Sequence, residues 1–277
     1  MTTVLAVGGH FIAADGAREL RAAVAALGAK RLTLTHGNGP QVGAELVRDP
    51  GVPIHAAVAR TQGELGALLA RELGGVTVVT HVLVEDDPRA FARPTKPVGR
   101  TYEEDEARAL AREHGWSVRE DPGRGFRRVV ASPAPVAVVE LDAVRALLDA
   151  GVPAVACGGG GIPVVDRGGR LDPVNAVVDK DRASAVLARD LGAERLVVLT
   201  DVDAVYRDFR GPEEEPLPRL TPAEAEAVLP ELPEGSMRPK LEACAAFVRA
   251  TGGEALITAA GALEDALAGR TGTRVAE

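Results

Sequence analysis

Aromatic side chains are scarce in this chain: 1 Trp, 2 Tyr and 5 Phe among 277 residues, or 3%. Its core must therefore be filled by Val, Leu, Ala and Ile. There are 2 cysteines, Cys157 and Cys244, far apart and in no C-x-x-C or metal-ligand spacing. That excludes a disulfide framework and fits a reducing compartment. No apolar run approaches the roughly 18 residues that a membrane span requires. The opening segment, Met1 to Val7, has no basic n-region or cleavage signature, so a cytoplasmic protein is expected. A net charge of −8 argues against a broad nucleic-acid-binding face. A small anion would have to be held by local positive charge. Lysine is also rare: of 32 basic residues only Lys30, Lys96, Lys180 and Lys240 are lysines, the rest being arginines. Where Arg serves for most positive charges, a retained Lys marks a place that needs a compact point charge. Lys30, between a helix and a strand, carries no such meaning. The other three each lie in a Pro- or Asp-flanked loop motif.

What is present is ordinary soluble α/β material: 46% apolar and 26% charged residues, enough for one large domain. Apolar runs alternate with helical patterns. Strands are expected at 4–7, 32–35 and 76–84, and helices at 18–27, from 41, and at 56–73. This βαβα order predicts a mainly parallel sheet covered by helices on both faces. Residues 85–135 differ, being rich in Pro and Gly turns around one helix at 103–114. They read as a small protruding lobe or lid inserted in a single domain spanning 1–277. The α/β pattern then resumes, with a helix at 141–150, a strand at 153–157 and a hairpin around Gly168-Gly169. Beyond these come a helix at 181–191 and a strand at 195–199. A Thr221/Glu224 capping box starts a further helix.

Three glycine-rich loops follow strands: Gly8-Gly9, Gly37-Asn38-Gly39 and Gly158–Gly161. Each alone reads as a tight turn. Together, on the carboxyl edge of one parallel sheet, they suit phosphate binding, because glycine lets backbone N–H groups approach an anion. A helix starting after each loop would add its partial positive charge. The chain lacks the P-loop pattern, a G-x-G-x-x-G after a strand, H-E-x-x-H and G-x-S-x-G. Two motifs remain: Asp179-Lys180-Asp181 before one helix and Gly235-Ser236-Met237-Arg238-Pro239-Lys240 opening another. Read alone, the first is also an ordinary acidic helix start. Beside glycine loops, lysines suit phosphoryl transfer, where fixed cations stabilise charge on the transferring group.

The segments His36–Gly43 (HGNGPQVG), Pro94–Pro97 (PTKP), Glu120–Gly125, Ser132–Pro135, Gly158–Pro163, Val178–Asp181, Leu199–Asp203, Gly235–Met237 and Thr271–Arg274 resemble, in order, those of carbamate kinases. The resemblance covers nearly the whole chain. It implies an α/β fold, a three-layer αβα sandwich with a mainly parallel central sheet and a small lid. It implies reversible transfer of a phosphoryl group between ATP/ADP and carbamate/carbamoyl phosphate, with Mg2+ held mainly by the nucleotide phosphates and not by side chains. A cytoplasmic homodimer in arginine metabolism is implied as well. By motif position, Lys180 and Lys240 would neutralise the transferring group, Asp181 would organise them, and Lys96 would reach down from the lobe. Gly8, Gly9, His10, Gly37, Asn38, Gly39, Gly158, Gly159 and Gly160 would cradle phosphate and substrate. Thr200, Asp201, Asp203, Tyr206 and Met237 would lie along the nucleotide.

The resemblance has gaps. His10 stands where the family usually has Asn, which leaves two readings open: a tolerated substitution, or a changed acid substrate. The segments at 12–31 and 49–53 are short for the family. A sibling kinase for another small carboxylate or carbamate-like acid, and a nucleotide-binding regulatory protein without turnover, are the alternatives. The presence of Lys96, Lys180, Asp181 and Lys240 together argues against the second.

Overall fold

A computed structural model describes residues 1–8, 14–121, 123, 125–233 and 235–277. The chain opens with β1 (Thr2–Val7), α1 (Ala14–Leu27), β2 (Arg31–His36), α2 (Gly39–Arg48), α3 (Ile54–Leu73), β3 (Val76–Thr77) and β4 (His81–Val84). Next are α4 (Pro88–Ala92), β5 (Lys96–Tyr102), α5 (Glu104–His114), β6 (Ser117–Asp121) and β7 (Gly125–Val130). β8 (Pro135–Val138), α6 (Leu141–Asp149), β9 (Ala154–Val155), β10 (Ile162–Asp166), β11 (Leu171–Pro173), α7 (Lys180–Asp190) and β12 (Arg195–Thr200) follow. The last part holds β13 (Tyr206–Arg207), β14 (Glu215–Pro216), β15 (Arg219–Leu220), α8 (Pro222–Val228), α9 (Met237–Thr251), β16 (Glu254–Ala259), α10 (Leu263–Leu267) and β17 (Thr273–Val275).

The main sheet has the order β15-β17-β16-β12-β1-β2-β9-β3. From β16 to β3 every pairing is parallel, and β17 runs antiparallel to β16. Side chains alternate across it, as the two-residue strand period requires. Val4 and Ala6 face Val144 and Leu148 of α6, with Leu187 of α7 and Phe247 of α9 in the same cluster. Leu5 and Val7 face the other way, toward Leu20 and Ala23 of α1, Leu69 of α3 and Leu263 of α10. The result is the expected three-layer αβα sandwich. Leu5 and Leu196 are fully buried, and burying such a side chain is worth about 1.5–3 kcal/mol. The Thr221/Glu224 capping box forms as expected.

Two expected strands are shorter than the apolar pattern suggests. The run at 76–84 splits: β3 joins the main sheet, while β4 joins a second sheet of order β11-β10-β4-β8. Between them Thr80 is clamped. Its N–H and hydroxyl donate to Gln62 Oε1, and its carbonyl accepts from Gln62 Nε2, all at 3.1 Å. Similarly, the strand expected at 153–157 pairs only at Ala154–Val155, because Cys157 takes a left-handed conformation with φ 50°.

Between β4 and β8 the chain builds a separate antiparallel sheet, β5-β7-β6. α5 packs on it through a small core of Tyr102, Ala107 and Trp116. Val98 and Val130 bind this lobe to the body, packing with Val42 and Leu46 of α2 and Val58 of α3. That seam places the first residue of β5, Lys96, above the carboxyl edge of the main sheet.

Candidate active site

β1, β2 and β9 lie side by side and parallel, so the loops after them share one edge. His36, last in β2, is 1% exposed, and its Nδ1 lies 3.0 Å from the Gly37 carbonyl oxygen. Burial pushes the imidazole below its ordinary value; the Gly37 carbonyl works against this, and the charge of Lys180 adds to it. The neutral ring therefore donates its Nδ1–H to Gly37 and fixes the loop. Asn38 is the N-cap residue of α2, yet its side chain makes no capping bond. It donates instead to Thr61 Oγ1 at 2.8 Å.

Gly159 meets this amide closely. It has φ 64°, and a Cβ built there would come within 2.1 Å of Asn38 Nδ2. Only glycine allows both the conformation and the approach. The run Gly158–Gly160 makes a single tight helical turn and passes directly into β10. Helices thus follow the first two glycine loops but not the third, because its next residues pair with β4 and β11.

The positive charge comes from two helix starts and the lobe. Asp179 is the N-cap of α7: its Oδ1 accepts from the N–H of Asp181 at 3.0 Å and of Arg182 at 3.2 Å. Its Oδ2 accepts from Lys96 Nζ at 2.8 Å. Burial alone would raise this carboxyl, but the Lys96 ammonium and the backbone bond from Arg182 outweigh burial and hold it below the ordinary carboxylate value. Asp181, one residue into the helix, is 4% exposed. Lys240, on the first turn of α9, donates to its Oδ2 at 3.1 Å. The ammonium of Lys180 lies 3.1 Å from its Oδ1, without hydrogen-bond geometry, and donates to the Val7 carbonyl at 3.3 Å. Two carboxylates therefore hold three ammonium groups.

These groups line a cleft of about 780 Å3, floored by Gly8, Gly37, Gly39 and Gly159, with Lys180 and Lys240 in its wall and Lys96 above. The structure thus brings together Gly8, Gly37, Asn38, Gly39, Gly159, Lys96, Lys180, Asp181 and Lys240. Gly158 and Gly160 sit behind the lining. Gly9 and His10 fall outside the described residues. Two residues at the cleft have no role assigned by the sequence. Asp179 belongs to the Asp179-Lys180-Asp181 motif but reads there as part of an acidic helix start. Arg127, on β7, also lines the cleft and donates Nη2–H to the Gly99 carbonyl at 3.0 Å.

The nucleotide candidates lie apart from this lining. Thr200 ends β12, and Asp201 and Asp203 follow it at the same sheet edge. Tyr206 donates its hydroxyl to Asp203 Oδ1 at 2.8 Å, and Thr271 donates to Oδ2 at 3.2 Å. The Tyr206 ring lies 5.8 Å from that of Phe209. Met237 starts α9 and packs partly buried on the main core. Among the described residues, no group of three or more His, Cys, Asp or Glu side chains converges as a metal-ligand set.

A sequence model of the amino acid kinase family matches residues 1–259. A carbamate kinase of Halobacterium salinarum is 45% identical over 262 residues, covering 88% of this chain and 84% of that protein. The carbamate kinase-like protein YqeA of Escherichia coli is 40% identical over 306 residues, covering 99% of this chain and 98% of that protein. That alignment is longer than the chain, so the chain carries deletions relative to YqeA. The solved carbamate kinase of Giardia lamblia bound to AMP-PNP superposes with a TM-score of 0.87 at 34% identity, covering 99% of this chain and 98% of that one.

Proposed function

Since the chain belongs to the amino acid kinase family, we propose that it is a carbamate kinase, transferring a phosphoryl group reversibly between ATP/ADP and carbamate/carbamoyl phosphate. The observation that carries this reading is the convergence of Lys96, Lys180 and Lys240 on Asp179 and Asp181 around a glycine-lined cleft. Carbamate kinases at 45% and 40% identity over most of the chain support it.

In the direction of ATP formation, an oxygen of the ADP β-phosphate bonds to phosphorus. The P–O bond to the carbamate oxygen breaks, and carbamate leaves with the bonding pair. Charge spreads over the equatorial oxygens of the group in flight. Lys180 and Lys240 meet that charge with ammonium groups already fixed by Asp181, so little reorganisation remains at the moment of reaction. The attacking phosphate oxygen has no proton to lose, and no protein base is needed. The backbone N–H groups of the Gly8 and Gly37 loops would hold the phosphates. Thr200, Asp201, Asp203, Tyr206 and Met237 would line the nucleotide. The lobe at 85–135 would act as a lid that keeps water from carbamoyl phosphate.

Mg2+ would accompany the nucleotide. The side chains present do not fit a direct shell for it, because Asp179 and Asp181 are both engaged by lysines. The ion would sit on phosphate oxygens. A cytoplasmic homodimer acting in arginine metabolism is the further reading that the family resemblance supports. No helix among the described residues is long and apolar enough to cross a membrane.

The test is ATP formation from ADP, Mg2+ and carbamoyl phosphate by the purified protein, with Lys240→Ala as control. Turnover lost in the variant is expected; full rate in Lys240→Ala would sink the assignment. A second reading, a kinase for another small acid, draws on one observation: one of the relatives that this chain covers almost completely is a carbamate kinase-like protein. Activity on another acid in a substrate panel, with none on carbamate, would establish it.

A further inference from the structure

Asp179 does two things with one carboxylate. Oδ1 caps α7, the helix that carries Lys180 and Asp181, and Oδ2 holds Lys96 of the lobe at 2.8 Å across 83 positions of sequence. We propose that Asp179 is a positioning residue of the transfer reaction. It docks the lid lysine against the same helix turn that organises the other two lysines, and so fixes the spacing of all three cations. The inference rests on the kinase reading of this cleft.

Three observations carry it. First, the geometry repeats. Asp181 sits between Lys180 and Lys240, and Asp179, two residues earlier, sits under Lys96. Both carboxylates belong to one rigid helix start, so the ammonium groups they hold are referenced to a common frame. Second, capping needs only one acceptor oxygen. Asn, Ser and Asp cap equally well. A carboxylate is required here only because of what the second oxygen does. Third, the Asp179 side chain is 11% exposed and the Lys96 side chain 38% exposed. The acid is the buried member and the lysine the one that reaches the cleft. A lysine ammonium has three N–H groups. With one given to Asp179, the others remain for an anion in the cleft, which Lys96 lines.

The alternative is a purely structural cap. The two are separated by Asp179→Asn and Asp179→Ser, which keep a capping oxygen and remove the charge under Lys96. Two variants guard against failure of either one to fold. We expect either to keep the unfolding temperature near wild type and to lower kcat on carbamoyl phosphate by about ten- to a hundredfold, the scale of a small misplacement at a reacting centre. The KM for ADP should not move. The deciding readout is a double-mutant cycle with Lys96→Ala. Once Lys96 is gone, Asp179→Asn should cost no further rate. A full-rate Asp179→Asn overturns the proposal, and so does an Asp179→Asn effect that multiplies unchanged onto Lys96→Ala.

Wild type that fails to turn over carbamoyl phosphate would count against the assigned reaction and not against this inference. The same cycle is then read by amide hydrogen exchange across β5 and β7. Faster exchange is expected in Asp179→Asn and in Lys96→Ala, with no further increase in the double variant. Unchanged exchange in Asp179→Asn would overturn the docking role.

Discussion

Asp181 Oδ2 accepts from the ammonium of Lys240 at 3.1 Å, joining the first turns of α7 and α9, which lie 59 residues apart in sequence. The acid is nearly inaccessible and Lys240 only 16% exposed, so this pair is pre-set before any ligand arrives. Removing the cation should act on the transition state more than on the fold. We expect Lys240→Ala to lower kcat by about 10²–10³, the usual loss on deleting one charge-stabilising donor. Lys240→Arg should not restore the rate, since a planar fork cannot occupy the position of a compact ammonium. Steady-state kinetics with carbamoyl phosphate and ADP give the answer. An arginine variant at wild-type rate would show that charge alone is required.

The glycine floor gives a second expectation, on stability. Gly159 has φ 64° and a built Cβ 2.1 Å from Asn38 Nδ2, whereas a Cβ at Gly39 meets nothing within 4 Å. The left-handed conformation costs an L-residue about 1–2 kcal/mol, and overpacking adds about 1–3 kcal/mol. Gly159→Ala should therefore lower the unfolding temperature by roughly 3–9 °C, while Gly39→Ala leaves it unchanged. Thermal melts of the two variants side by side decide the point. Equal melting temperatures would mean that neither the left-handed conformation nor the approach to Asn38 costs the fold anything.

Much of the fold and of the lysine constellation is legible in the sequence. The unbroken apolar run Val4–Val7 and the Ala-rich helical stretch at 18–27 mark the sheet and its helical cover, because a strand buried on both faces reads as a continuous apolar run. The rarity of lysine marked Lys96, Lys180 and Lys240. The breaks lie where long-range polar pairing decides. Thr80 looks like part of an apolar strand until Gln62, on another element, clamps it. Asp179 reads as a helix cap, and only the packing of the lobe on α2 and α3 shows that its second oxygen meets Lys96. Arg127 is one arginine among many, with no local pattern to set it apart. The Gly158–Gly161 run leads into the hairpin expected around Gly168-Gly169, and β10 pairs with β11 as that pattern implies, whereas the helix also expected after this glycine loop does not form.

His36 should give stability a distinct pH dependence. Its folded value lies below the ordinary 6.5, chiefly through burial. The unfolded chain therefore binds this proton more readily than the folded one. The folded state is at full advantage above about pH 6.5 and loses it as pH falls through that value, by at most about 1.4 kcal/mol per pH unit. Asp179, also depressed, acts in a lower window, losing its contribution only below its ordinary 3.8. Between pH 6.5 and 5 the slope should therefore shrink in His36→Gln. Melting temperatures of both proteins at pH 7.5, 6.5 and 5.5 measure it. Parallel curves would remove His36 as the source.

The lobe carries its own reporter. Trp116 is the single tryptophan of the chain, and it sits in the small core of Tyr102 and Ala107. The Arg128 guanidinium carbon lies 4.5 Å from its ring centroid and the Tyr102 ring 6.1 Å away. This cluster has three buried members, against the large clusters on either face of the main sheet. Regions with few buried apolar contacts open at lower free energy than the core. In urea, tryptophan emission should therefore change at a lower concentration than the far-ultraviolet signal of the body. Trp116→Ala should raise amide exchange across 96–130 and leave the main unfolding transition in place. Turnover should fall with it, because Lys96 begins β5 and depends on that sheet for its position over Asp179. Coincident fluorescence and circular dichroism transitions would show that lobe and body unfold as one unit, and the lid would then have to move, if it moves, as a rigid piece about the seam formed by Val98 and Val130.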